Sequence, residues 1–221
     1  MRARDEAGYS LIETLVAMSV FAVLSTSLYL VLFQATRGAT KARDIAKISQ
    51  EARIGFTRLV RDTRQGSAVT AGDGNSYTVE VDFDGDGAID TSGPNLQGDY
   101  EVLTYEFQES SGTVRINGEV LMRGVDCLRR TNGTCYPAFD YGSGHLEWDW
   151  SSDGVTTWQE LDAASTHGVV GVGNNNGVLD SGELSDISDV SIALRLEGDT
   201  DTSTASDATD FASVAQLRNQ R

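Results

Sequence analysis

The chain has 221 residues, two prolines against 23 glycines, and a formal net charge of −16. The charge is lopsided: residues 1–65 hold ten Lys/Arg and six Asp/Glu, whereas the remainder holds seven and 27. So acidic a distal part repels phosphate, which excludes nucleic acid as its partner and points to cations, or to water outside the cell.

The first element is MRARDEAG followed by YSLIETLVAMSVFAVLSTSLYLVLF, in which Glu13 is the one charge from Tyr9 to Phe33. As a helix that run is roughly 38 Å long, enough to cross a bilayer core. Arg2 and Arg4 precede it and favour a cytoplasmic N-terminus, which sends the rest of the chain outward across the membrane. A secretory signal has a shorter apolar core with its small cleavage residue behind it; here the small residue, Gly8, comes first. A carboxylate one turn into a membrane helix needs a partner. Cleavage after Gly8 would leave an ammonium on Tyr9, which Glu13 of the same or a neighbouring subunit could neutralise. The alternative is a carboxylate that merely reaches the headgroups.

The segment Gly8-Tyr9-Ser10-Leu11-Ile12-Glu13-Thr14-Leu15-Val16-Ala17 resembles the type IV pilin signature. That resemblance implies cleavage after Gly8 by a prepilin peptidase, methylation of Tyr9, and Glu13 as the assembly carboxylate. Tyr9 stands where Phe is commoner. Many major pilins carry a proline in the second half of the membrane helix; Ser25-Thr26-Ser27-Leu28-Tyr29-Leu30-Val31 has none. In this it is closer to minor pilins and pseudopilins.

From Gln34 on, Ile45, Ile48, Ala52, Phe56 and Leu59 recur at three- and four-residue steps, one apolar stripe among basic residues. A single helix is expected from Tyr9 to about Arg64, with Gly38 as its weak point and Gly66 as its stop. The expected layout is a leader over 1–8, a helix over 9–65 (transmembrane 9–33, amphipathic 34–65) and an extracytoplasmic β-rich domain over 66–221. Alternating patterns predict strands over Tyr77–Phe83, Tyr100–Phe107, Thr113–Ile116, Glu119–Met122, Val190–Leu196 and Phe211–Leu217. Asn117-Gly118 marks a hairpin turn between two of them. The segment GDTDTSTASDATD is a polar loop. The fold class is α+β: a long N-terminal membrane-spanning helix packed on an antiparallel sheet. The closing strand pair, ending in Leu217-Arg218-Asn219, is similar to the ends of PilW-type minor pilins and J-type pseudopilins.

Cys127 and Cys135 lie eight apart. Outside the cytosol they are expected to form a disulfide, the alternative being two unpaired buried thiols; two cysteines alone make no zinc site. Asp82, Asp84, Asp86 and Asp90, with Gly87 at the sixth position and the Ala88 carbonyl at the seventh, have the spacing of a calcium (Ca2+) loop, except that Gly93 replaces the twelfth-position Glu. The other reading is an Asp/Gly-rich turn. Asn174, Asn176, Asp180 and Glu183, with Gly177, form a partial second loop whose first position is Val172, which cannot ligate through its side chain. His145 and His167 sit in no nucleophile or metal motif, so no enzyme is expected. Trp148, Trp150 and Trp158 are expected in strand core, the alternative being a ligand platform.

The functional expectation is therefore a structural minor pilin or pseudopilin, assembled into a type IV pilus in priming or at the tip. The alternatives are a type II secretion pseudopilin and a pilus-borne adhesin. Its expected partners are other pilins, the prepilin peptidase, the inner-membrane assembly machinery and lipid before assembly.

Overall fold

The computed structural model describes residues 10–94, 99–196 and 208–218. Gly8, Tyr9 and Asn219 lie outside them, as does most of the polar loop before the last strand. The chain divides into two compact units, residues 1–46 and 47–221, and one helix contributes to both.

Helix α1 runs Leu11–Gln65 without a break at Gly38. Ser10 starts it: its hydroxyl accepts the Glu13 amide at 3.3 Å, and Glu13 stands in the first turn, where the helix dipole favours a carboxylate. It stops at Gly66, whose amide bonds back to the Thr63 carbonyl. A side chain at Gly66 has no room, since a Cβ there would lie 2.4 Å from Val79 Cγ2. In the first unit the residues from Leu11 to Phe33 are exposed around the whole circumference, an apolar surface that water does not tolerate.

Among the described residues, the second unit holds ten strands in two antiparallel sheets. The first sheet follows chain order: β1 (Ala68–Gly72), β2 (Ser76–Glu80), β3 (Val102–Gln108), β4 (Thr113–Ile116) and β5 (Glu119–Arg123). The turn between β4 and β5 is Asn117-Gly118, both with positive φ, as the dipeptide predicts. The second sheet contains β6 (Val125–Cys127), β7 (Phe139–Ser143), β8 (Thr156–Thr157), β9 (Asp189–Leu196) and β10 (Thr209–Gln216). Central β9 pairs with β10 on one side and with β6 and β7 on the other. Its alternation is complete: Val190, Ile192, Leu194 and Leu196 are buried, and the residues between them face outward.

One core joins both sheets to the last turns of α1, through Leu59, Val79, Tyr105, Phe139 and Ile192 among others. Within this unit, Ala52, Gly55 and Leu59 form the buried helix face. Gly55 allows close approach, because a Cβ there would press at 3.2 Å on the Leu121 carbonyl.

Three expectations need correction. Strand β2 ends at Glu80, so Val81 to Phe83 already belong to the following loop; there the Phe83 amide goes to the Glu101 carboxylate and Asp82 takes the Gly85 and Gly87 amides, which turns the chain away from the ladder. The stretch from His145 to Trp150 is not a strand but a 3-10 turn over Leu146–Trp148. Trp148 and Trp158 are only partly buried against the core, and Trp150 stacks on His167 with ring centroids 4.1 Å apart. Third, β1, β6, β7 and β8 form where the sequence pattern is too short, or too rich in glycine and polar residues, to mark a strand.

Candidate functional site

Two regions carry the residues singled out in the sequence. The first is the N-terminal segment. Ser10 and Glu13 occupy the helix start, and the apolar residues that follow are exposed along their length, with Leu11 and Phe21 more than 70% accessible. Glu13 is the lone acidic residue of the first turn.

The second region is the loop face of the distal unit. Cys127, at the end of β6, and Cys135 are joined by a disulfide with Cα atoms 5.5 Å apart. A short bridge between Arg129 and Cys135 closes the loop.

In the Asp82 loop the structure gathers Asp82, Asp84 and Asp86, each offering an oxygen within 4.8 Å of the others. Asp82 accepts the Gly85 amide at 2.6 Å and the Gly87 amide at 3.0 Å; Gly85 and Gly87 take left-handed backbone. Asp84 and Asp86 accept the amides two residues onward, from Asp86 and Ala88. Asp90 does not join the group. Its amide donates instead to Glu101, a fully buried carboxylate on the approach to β3 that also accepts the Phe83 amide. Glu101 thus ties both ends of the loop together. The carboxyl of Asp84 is pushed above its ordinary value by the loss of hydration and by the charges of Asp86, Glu101 and Asp82, which outweigh the opposing hydrogen bond from the Asp86 amide.

A further loop escaped the sequence reading. Asp149, Ser151, Asp153, Gly154 and Glu160 stand at positions one, three, five, six and twelve, the same oxygen-rich spacing with the terminal Glu present. The Ser at the third position hides the signal from a search for alternating Asp and Asn. Asp149 accepts the Gly154 amide at 2.7 Å and the Asp153 amide at 3.2 Å. Position nine, Thr157, is the N-cap of helix α2 (Trp158–Asp162), and Glu160 completes a capping box. Both Glu160 oxygens are engaged, by the Ser151 and Thr157 amides, which hold its carboxyl below the ordinary range against some burial.

The loop of Asn174, Asn176, Asp180 and Glu183 repeats this plan with one exchange. Asp180, at position nine, is the N-cap of helix α3 (Ser181–Leu184), and Glu183 completes the capping box. Asn174 and Asn176 both turn their Nδ2 groups onto Asp180 Oδ2, at 2.6 and 3.1 Å. Position one, Val172, packs against the core. Its task falls to Asp162 at the end of α2, which accepts the Asn176 amide at 3.0 Å and the Gly177 amide at 2.7 Å. Those are positions five and six, the same two amides that Asp149 holds in the preceding loop. The approach is close: the Asn175 amide bonds the Asp162 carbonyl at 2.8 Å, and a Cβ on Gly173 would sit 2.0 Å from the Leu161 carbonyl. Burial and the adjoining Asp180 carboxylate push the Glu183 carboxyl up, while Asp180 is held low by the same side-chain contact and by the Gly182 amide.

Residues 3–29 match the family model described as the prokaryotic N-terminal methylation motif. No curated protein and no solved structure matches the chain. The motif, the long apolar N-terminal helix and the α+β distal unit together support a type IV pilin-like chain. The motif implies processing by a prepilin peptidase and assembly with other pilins, and the proteins that share it are structural.

Proposed function

We propose that the chain is a minor pilin or pseudopilin that primes or tips a type IV pilus-like filament. It would insert in the inner membrane with its N-terminus cytoplasmic and then leave the lipid for the filament core. The observation that carries the reading is the placement of Glu13: one carboxylate, in the first helical turn, heading an apolar surface exposed on all sides, five residues after Gly8. A charge so placed is costly in lipid and useful against a neighbour's Tyr9 ammonium. The helix, unbroken from Leu11 to Gln65 and without proline, supports a minor rather than a major subunit.

Processing is the direct test. Gly8→Val in cells with an active prepilin peptidase should leave a precursor about eight residues heavier in the membrane, and the wild type should yield a mature chain starting at a methylated Tyr9. Recovery of the wild type with residues 1–8 attached sinks the proposal. Deletion of the gene separates the two settings: loss of pili supports the pilus subunit, loss of protein export the secretion pseudopilin. The adhesin reading draws no support from the tryptophans. Trp148 and Trp158 pack inward, and Trp150 donates to the Glu160 carbonyl while stacking on His167.

A further inference from the structure

The loop that follows α2 contains an oxygen atom that the fold leaves unsatisfied. Glu183 is fully buried, yet its Oε1 has no hydrogen-bond partner, while Oε2 takes the Asp180 amide at 2.8 Å. A buried acceptor without a donor is destabilising, and more so when it is charged. In the neighbouring loop the corresponding Glu160 Oε1 is satisfied by the Ser151 amide. The two loops otherwise match: N-cap at position nine, capping box to position twelve, and a carboxylate holding the amides of positions five and six. The atom left over at Glu183 is the one that, in loops of this spacing, turns toward a cation.

We propose that Asp162, Asn174, Asn176, Asp180 and Glu183 bind one calcium ion, with Asp162 supplying from α2 the carboxylate that Val172 cannot. The donor set is all oxygen and offers no imidazole or thiolate, which disfavours zinc and copper. Three carboxylates and two amide oxygens, with the position-seven carbonyl of Val178 and water, reach the six to eight ligands that calcium takes. Asn174 and Asn176 each use their Oδ1 for one backbone amide, from Asn176 and Val178, which leaves a second lone pair on each oxygen. The two Nδ2 contacts already bring both amides onto the Asp180 carboxylate. Calcium would bridge Asp180 and Glu183, which otherwise face each other as like charges. Magnesium suits the site less well, because it demands octahedral geometry and gives up water reluctantly. This binding is independent of the filament role, so a Gly8→Val precursor should bind the same number of ions.

The test uses the full chain in detergent micelles. Equilibrium dialysis counts bound calcium for the wild type, Asp162→Asn and Glu183→Gln, and thermal melts are run in chelator and in calcium. Each variant should hold one ion fewer, or bind that ion about tenfold more weakly or worse. Glu183→Gln should melt no lower than the wild type in chelator, since Gln still accepts the Asp180 amide and removes a buried charge. In calcium it should lose the rise that the wild type shows. An unchanged ion count in Glu183→Gln overturns the proposal, and so does an equal drop in melting temperature with and without calcium, which would make Glu183 a helix cap alone. Equal stabilisation by magnesium overturns the calcium assignment.

Discussion

The Tyr105 hydroxyl, on β3, donates to Asp62 Oδ2 at 3.0 Å, across 43 positions of sequence. Both residues are buried, and the carboxylate also receives Arg58 and Arg61, whose side chains stay half exposed. Beside this pair, Thr63 and Tyr77 share a hydroxyl hydrogen bond at 2.5 Å. Burial first, and then the Asp62 charge, raise the Tyr105 phenol far above its ordinary value, so it stays a donor at any physiological pH. The end of α1 is thus held to the first sheet by a polar contact inside an apolar core.

Asp62→Ala should therefore cost about 1–3 kcal/mol, because it strands the buried Tyr105 hydroxyl. Tyr105→Phe should cost less, about 1 kcal/mol, since Asp62 keeps both arginines. Denaturant unfolding of the two variants and of the double variant gives the coupling. Additive losses would show that the contact contributes nothing.

Gly173→Ala should destabilise the distal unit strongly. Its φ is +64°, and a Cβ there would overlap the Leu161 carbonyl at 2.0 Å. Gly171 shares the left-handed backbone, with φ +94°, but a Cβ there meets nothing. Gly171→Ala should show the conformational part alone, about 1–3 kcal/mol, and Gly173→Ala distinctly more. Comparable melting of the two variants would contradict the tight seating of this loop on α2.

Replacing Cys127 and Cys135 together by Ser should lower stability by about 2.5 kcal/mol, the loop-closure entropy expected for so short a bridge. The loss should match that of the wild type under reductant. A wild type whose melting is indifferent to reductant would argue against the bridge as a stabilising element.

Glu13→Ala should insert in the membrane at least as well as the wild type, because a charge leaves the apolar run. Incorporation into filaments should fall, since a neighbour's Tyr9 ammonium loses its partner. Immunogold counts on sheared filaments measure this, and normal counts would remove the pairing role.

Asp189, at the start of β9, carries a carboxyl raised by burial and by Asp140, partly offset by the Ser188 hydroxyl. A folded-state value above the unfolded one means that the fold favours the protonated form. Stability is then lost as pH rises from below the ordinary carboxylate value through the folded one, and the deficit is complete at neutrality. Asp189→Asn should accordingly be at least as stable as the wild type at pH 7, with the difference shrinking toward about pH 3. A widening gap on acidification would reverse the assignment.

Much of this architecture was legible locally. The Gly8-to-Ala17 motif, the apolar run and the stripe from Ile45 to Leu59 depend on residues near one another in sequence, because a helix sets its faces by steps of three and four. The alternation of β9 and the Asn117-Gly118 turn are local for the same reason. The loop from Asp149 to Glu160 was equally local and was missed through its Ser151.

Sequence alone could not place Asp162 against Asn176 and Gly177, bring Glu101 to both ends of the Asp82 loop, or leave Glu183 Oε1 buried without a donor. Each of these depends on how separate elements pack. Local spacing decides which oxygens a loop offers; only the tertiary fold decides which distant carboxylate completes it and which buried atom goes unsatisfied, because burial and long-range contact are properties of the packed core rather than of any short segment.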